Sequence, residues 1–99
     1  MPTQEKILDF LSKNKQEFKD IFNITKLGLF GSFANGSFNK NSDIDIIIEF
    51  KKDTDNIFEI KNKIKKIIQN KFNTEVDIAR EKYLKPYIKK DILNQTIYV

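Results

Sequence analysis

Two aspartates, Asp43 and Asp45, stand at the start of the most apolar run of the chain, IDIIIEF. In a β-strand, residues two apart point to the same face, so both carboxylates would lie together with α-carbons about 7 Å apart. An unpaired charge beside a buried strand is costly, so a partner is expected. Hard oxygen ligands suit Mg²⁺, which readily shares its coordination with substrate phosphates. The sequence therefore predicts a divalent-cation site at the start of this strand.

A third carboxylate and a small-residue turn extend this candidate site. Asp77 lies in the alternating run TEVDIA, in phase with Glu75 on the polar face of a second predicted strand. If the two strands are neighbours, three carboxylates converge. Gly31 and Ser32 follow an earlier strand, where free backbone N–H groups and a hydroxyl can receive phosphate oxygens.

The elements that must position these residues are predicted from hydrophobic periodicity and cap signals. Thr3 is expected to cap a first helix ending near Asn23, and Pro86 to open a short helix near the C-terminus. The other predicted elements are strands over 25–30, 43–50, 74–79 and 96–99, and a helix over 56–72. The fold class predicted is α+β, a mixed sheet of about four strands with helices packed on one face.

The length of 99 residues predicts a single domain, residues 1–99, with no room for a separate acceptor-binding domain. Any second substrate must then be held by another molecule. No apolar run approaches the roughly 18 residues of a membrane span, and neither a signal peptide nor a cysteine is present. We therefore expect a cytoplasmic protein without a membrane partner.

The net charge of +4 comes almost entirely from lysine, since Arg80 is the only arginine. Lysine lacks the bidentate fork that reads phosphate or guanine, and no aromatic residues are interleaved as stacking platforms. Direct nucleic-acid binding is therefore not expected.

The motif Gly31-Ser32, ten intervening residues, then Asp43-Ile44-Asp45 resembles the signature of the DNA-polymerase-β-like nucleotidyltransferases. The small size is similar to that of their minimal branch, the MNT proteins. The resemblance implies that Asp43, Asp45 and Asp77 bind two Mg²⁺ ions. It also implies that Gly31 and Ser32 hold the phosphates of ATP or another nucleoside triphosphate, and that Asp77 helps to deprotonate the acceptor hydroxyl.

MNT proteins are commonly antitoxins of HEPN ribonuclease toxins, which members of the family silence by transferring AMP to a tyrosine. The resemblance thus implies a HEPN toxin as partner. The chain departs from the family in the turn, which often reads GSRARG or GSxARG and here reads GSFANG, with Phe33 and Asn35. A fixed positive charge beside the triphosphate is missing, and Lys40 or a side chain of the partner is a possible substitute.

Simpler interpretations remain open for each residue. An Asp-x-Asp pair is often a solvated strand end, and Asp77 alone could be an edge-strand charge that discourages aggregation. Gly31-Ser32 could be turn chemistry only. At the level of function, the alternatives are an antitoxin that neutralises its partner by binding alone and a small basic nucleic-acid-binding module.

Overall fold

The structure is a computed structural model and describes residues 2–99. In chain order its elements are α1 (Gln4–Phe22), β1 (Ile24–Phe30), α2 (Ser32–Asn35), β2 (Ile44–Phe50), α3 (Ile57–Phe72), β3 (Val76–Arg80), a 3₁₀ turn (Glu81–Tyr83), α4 (Pro86–Gln95) and β4 (Ile97–Tyr98). No helix within this part of the chain combines the length and the apolar character that crossing a membrane requires.

The four strands form one mixed sheet in the order β3-β2-β1-β4. β1 runs antiparallel to both β2 and β4, whereas β2 and β3 are parallel and are connected through α3. The C-terminal end of β1 therefore lies at the same end of the sheet as the N-terminal ends of β2 and β3. The predicted α+β class with a mixed four-stranded sheet is confirmed.

One face of the sheet carries the main hydrophobic core. Alternate residues of β2 enter it, namely Ile44, Ile46, Ile48 and Phe50, and meet buried side chains of α1 and α3. The helical contribution follows the periodicity of each helix and consists of Ile7, Leu11 and Phe18 from α1 and Ile64 and Ile68 from α3. This burial holds the strands in one register, because a slip of one residue would turn the isoleucines outward.

The opposite face carries Asp45, Ile47 and Asp77, by the same alternation. Its centre is covered by the end of the chain: a side chain at Gly28 would meet Thr96, which follows α4, and Ile47. Ile47 is fully buried although it lies outside the main core. The helices that build the core pack on one face as expected, and the residue after α4 closes the middle of the other.

Two short helical segments were not predicted, α2 within the small-residue turn and the 3₁₀ turn after β3. The predicted cap at Thr3 is confirmed, since its side chain accepts a hydrogen bond from the Lys6 backbone N–H. β2 begins at Ile44 rather than at residue 43, so Asp43 immediately precedes the strand.

A matched pair of substitutions in α3 tests this packing. Ile64 is fully buried and Ile67 is 36% exposed, one turn away on the same helix. Ile64→Ala is expected to lower the free energy of unfolding by about 2 to 5 kcal/mol, because it leaves a cavity in the core. Ile67→Ala should cost less than about 1 kcal/mol. Urea denaturation measures both, and equal costs would contradict the assigned face of α3.

Candidate active site

Asp45 and Asp77 stand directly opposite each other on neighbouring parallel strands. Adjacent strands lie about 4.8 Å apart, and paired residues point to the same face, so the two carboxylates leave the sheet side by side. The convergence of carboxylates expected from the sequence requires the two aspartate-bearing strands to be neighbours, and β2 and β3 are neighbours. The register that produces it is fixed by isoleucines on the opposite, buried face.

Gly31 lies against the Asp45 carboxylate at the end of β1. Phe30 pairs with Asp45 across β1 and β2, so the chain turns immediately above this side chain. Gly31 adopts φ 73° and ψ −154°, a region essentially open only to glycine. A β-carbon there would overlap Asp45 Oδ2 and lie 3.0 Å from its Cγ. Glycine is therefore needed both for its backbone conformation and for the space it leaves.

Asp43 is exposed and follows a turn over residues 39–42, in which two side chains accept hydrogen bonds from backbone N–H groups. The Asn39 backbone N–H donates to Ser42 Oγ at 2.9 Å, and the Asn41 N–H donates to Asn39 Oδ1 at 2.7 Å. The next backbone N–H, that of Ile44, donates to the Glu75 carbonyl at 2.9 Å and so joins the start of β2 to the segment before β3. Asp43 is thus placed beside Asp45 by the loop rather than by strand alternation.

Ser32 opens α2, and its backbone N–H has no acceptor within the helix, as for any first helical residue. The position of α2 is fixed by Gln4, whose side-chain amide donates to the carbonyls of Phe33 at 3.1 Å and Ala34 at 2.8 Å. Gln4 is a positioning residue that the sequence interpretation missed. Nothing in the local sequence signals a contact between residues about 30 positions apart.

The electrostatics of the site are set first by partial burial of a carboxylate and then by crowding of like charges. Partial burial, followed by the negative charges of Asp77 and Asp43, raises the pKa of Asp45 to about 6. Asp45 has no hydrogen-bond donor among the side-chain contacts of residues 2–99, so nothing within that part of the chain offsets its charge. A bound cation would relieve this uncompensated negative charge.

The donor set consists only of carboxylate oxygens, which are the ligands that Mg²⁺ prefers. Within residues 2–99, no three acidic side chains are already gathered at distances that would hold a metal ion. Asp43 and Asp77 are both exposed, so some side-chain movement can bring them to a common ion with Asp45. The residue types and their placement fit Mg²⁺ on those terms.

Phe33 and Asn35, the two turn residues where the resemblance led us to expect arginine, make other contacts in this fold. Phe33 is buried and stacks on Phe38, with ring centroids 4.6 Å apart. Asn35 Oδ1 accepts hydrogen bonds from the backbone N–H of Ser37 at 2.9 Å and from its hydroxyl at 2.6 Å. Phe33 is therefore a packing residue and Asn35 a turn residue, and neither supplies a positive charge.

The sequence and fold were compared with those of known proteins. The chain matches the nucleotidyltransferase domain family over residues 11–99. A relative from Methanocaldococcus jannaschii, provisionally named a protein adenylyltransferase, is 33% identical over 100 residues, with all of both chains covered. The protein adenylyltransferase MntA of Thermococcus cleftensis is 28% identical, covering all of this chain and 98% of that protein.

Solved structures show the same fold. One provisionally described as a minimal nucleotidyltransferase superposes with a TM-score of 0.79 at 20% identity, covering 97% of this chain and 95% of that one. A toxin–antitoxin solved with AMP-PNP superposes with a TM-score of 0.67 at 23% identity, covering 98% of this chain and 72% of that one.

The mixed four-stranded sheet and the family match over residues 11–99 place the chain in the nucleotidyltransferase class. The chain belongs to the nucleotidyltransferase domain family and is of its minimal, MNT type.

Replacing Asp45 by Asn should stabilise the metal-free protein at neutral pH. The pKa of Asp45 rises from 3.8 to about 6 on folding, so the folded state holds the proton more tightly. Protonated Asp45 therefore contributes to the free energy of unfolding. This contribution is fully present below pH 3.8 and is lost as the pH rises through about 6. Asp45→Asn should therefore gain about 1 to 2 kcal/mol at pH 7, after allowance for solvent screening.

The gain should disappear below pH 3.8, where the carboxyl is neutral in both states. Denaturant unfolding in the presence of a chelator, at several pH values, measures it. Asp91→Asn, an exposed position on α4, serves as the control and should change little. An Asp45→Asn protein clearly less stable than the wild type at pH 7 would show that the carboxylate has a structural role.

Gly31→Ala tests the contact between the turn and Asp45. The new β-carbon would displace the Asp45 carboxylate, so we expect a loss of about 2 to 4 kcal/mol in the free energy of unfolding. Gly36→Ala is the matched control, because φ there is also positive, 85°, but no atom lies within 4 Å of the new β-carbon. Gly36→Ala should cost only about 1 kcal/mol. Equal losses in the free energy of unfolding for the two variants would show that the contact between Gly31 and Asp45 does not contribute to stability.

Proposed function

We propose that the chain is a Mg²⁺-dependent protein adenylyltransferase. It would transfer AMP from ATP to a tyrosine hydroxyl of a cognate HEPN toxin and so act as the antitoxin. The observation that carries this proposal is the register that places Asp45 opposite Asp77 with Gly31 packed on the Asp45 carboxylate. Membership in the nucleotidyltransferase family and the names of the relatives support it.

Each site residue receives a role in the proposed reaction. Gly31 and Ser32 bind the phosphates, because the turn presents backbone N–H groups and a hydroxyl with no β-carbon in the way. Asp43, Asp45 and Asp77 would hold two Mg²⁺ ions. When bound, these ions neutralise charge on the triphosphate and on the crowded carboxylates.

The acceptor hydroxyl oxygen attacks the α-phosphorus in line. The bond between the α-phosphorus and the oxygen that bridges it to the β-phosphate breaks, and pyrophosphate leaves. Asp77 takes the proton of the hydroxyl, because it is the exposed carboxylate on the edge strand and the chain contains no histidine. Most of the acceleration comes from positioning and charge stabilisation.

The names of the relatives, which are protein adenylyltransferases, support a protein acceptor. All four strands share one sheet with one main core, which supports treating residues 1–99 as a single domain. The described residues 2–99 are taken up by this sheet and its helices, so an acceptor would lie against their surface. A folded partner would therefore bring the hydroxyl to Asp77.

A second function is favoured by the composition of the turn. With Phe33 in the core and Asn35 engaged with Ser37, the turn offers no cation to the triphosphate. Lys40 is exposed and has no carboxylate within 4 Å among residues 2–99, so it can substitute only if it moves to the site. Without a substitute, the chain would neutralise its partner by binding alone.

Transfer of label from α-³²P-ATP to the purified toxin separates the two functions. An adenylyltransferase labels the toxin, and Asp43→Asn or Asp45→Asn should reduce the rate by more than about a hundredfold, because each removes a metal ligand worth several kcal/mol. Asp91→Asn is the matched control and should retain full activity.

Label that persists in both aspartate variants would contradict the proposed mechanism. An unlabelled toxin that is nevertheless inhibited equally by wild type and Asp45→Asn would establish the binding function instead.

A further inference from the structure

A basic cleft of about 700 Å³ lies at the other end of the sheet from the carboxylates. It is formed where the end of β2, the loop after it, the 3₁₀ turn and α4 come together. Its charged side chains are Lys26, Glu49, Lys51, Lys52, Asp53, Arg80, Glu81, Lys82 and Lys89.

The cleft is separate from the candidate active site. Glu49 lies four residues after Asp45 on the same strand and the same face, which places it about 13 Å away. Between them Ile47 is fully buried, and Thr96 and Tyr98 lie over the neighbouring Gly28. No open groove therefore runs across Ile47 from the carboxylates to the cleft.

The cleft holds most of the excess positive charge of the chain. Six cationic and three acidic side chains line it, whereas the rest of the chain carries twelve cationic and eleven acidic ones. In the sequence these lysines are spread between residues 26 and 89, and only the fold brings them together. The cleft therefore carries +3 of the net charge of +4, and the remainder of the molecule carries +1.

Two of the three acids in the cleft are already engaged inside it. Glu49 accepts hydrogen bonds from Arg80 Nε at 2.9 Å, Arg80 Nη2 at 2.6 Å and the Lys82 backbone N–H at 2.9 Å. Burial alone would raise the pKa of Glu49, but these hydrogen bonds outweigh it and hold the pKa below its ordinary value. Glu81 accepts from Lys26 Nζ and from the Tyr98 hydroxyl, both at 3.2 Å.

Four lysines of the cleft are left without a carboxylate partner. Within residues 2–99, the salt bridges of the cleft join only Lys26 to Glu81 and Arg80 to Glu49. The remaining ammonium groups are those of Lys51, Lys52, Lys82 and Lys89. Like charges gathered around one cavity repel one another, so an anionic occupant would be stabilising.

The groups that would favour nucleic acid are occupied. Arg80 uses two of its nitrogens on Glu49 and lies over the rings of Phe50 and Tyr83, 5.5 and 4.9 Å from their centroids. Lys82 also lies over the Tyr83 ring, at 5.5 Å. Because Glu49 engages the Arg80 guanidinium, and Arg80 and Lys82 both lie over Tyr83, the cleft offers mainly separate lysine point charges. Carboxylates of a polypeptide match that arrangement better than stacked bases do.

We propose that this cleft docks an acidic segment of the acceptor protein. The proposal rests on the proposed function, since it assigns the surface by which the protein acceptor is recognised. A partner seated in the cleft reaches Glu49, which lies on the same face of the sheet as Asp45 and Asp77, about 13 Å along the strand. The cleft would thus position the acceptor while the carboxylates act on its hydroxyl.

Steady-state transfer to the acceptor protein, with matched charge deletions, tests the docking site. Lys51→Ser/Lys52→Ser removes two free lysines of the cleft, and Lys63→Ser/Lys66→Ser removes two exposed lysines of α3 outside it. The cleft variant should raise the KM for the acceptor about five- to tenfold, with little change in kcat or in the KM for ATP. The control should behave as wild type.

Lys82→Ser/Lys89→Ser provides an independent pair and should act in the same direction. Equal KM values for the cleft and control variants would overturn docking while leaving adenylylation intact. Loss of transfer by the wild type itself would remove both proposals. Binding of a fluorescent octauridylate RNA that is lost only in the cleft variants, with the acceptor KM unchanged, would reassign the cleft to nucleic acid.

Discussion

The candidate site depends on one constraint, the partial burial of the Asp45 carboxylate beside a glycine turn and two further aspartates. Strand pairing leaves it no alternative position, because the isoleucines on either side of it are fully buried in the core. The hydrophobic effect thus holds together charges that repel one another. An apo site under such strain gains most from a bound cation, and this links the stability of the fold to its chemistry.

The two ends of the sheet carry charges of opposite sign. One end gathers Asp43, Asp45 and Asp77, and the other end gathers the lysines of the cleft. In the proposed function the two ends have different occupants, a cation-bound triphosphate and an acidic segment of the acceptor. The residues between them are covered by the C-terminal segment, so each occupant is confined to its own end.

The strands, the long helices and the in-phase placement of the aspartates could be predicted from the sequence, because these features depend on local patterns, whereas the roles of the site residues stay a prediction. Alternation in IDIIIEF and TEVDIA places the aspartates in phase, and the isoleucine stripe of α3 is apparent from spacing alone. The sequence did not reveal α2, because four residues ending at a glycine resemble an ordinary turn.

Long-range contacts were also beyond prediction. Gln4 is bonded to carbonyls some 30 residues away, and the Glu49–Arg80 pair joins positions 31 apart. The basic cleft belongs to the same category, since its lysines are scattered in the sequence. Such features depend on tertiary structure, and no periodicity or cap signal encodes them.

The most direct test of the account is an NMR titration of the Asp45 side-chain carboxyl, first without metal and then with saturating Mg²⁺ and a non-hydrolysable ATP analogue. We expect a pKa of about 6 in the metal-free protein, falling to the ordinary value of 3.8 or below when the cation binds. A pKa that is already ordinary without metal, or one that stays near 6 when both ligands are present, would contradict the central claim.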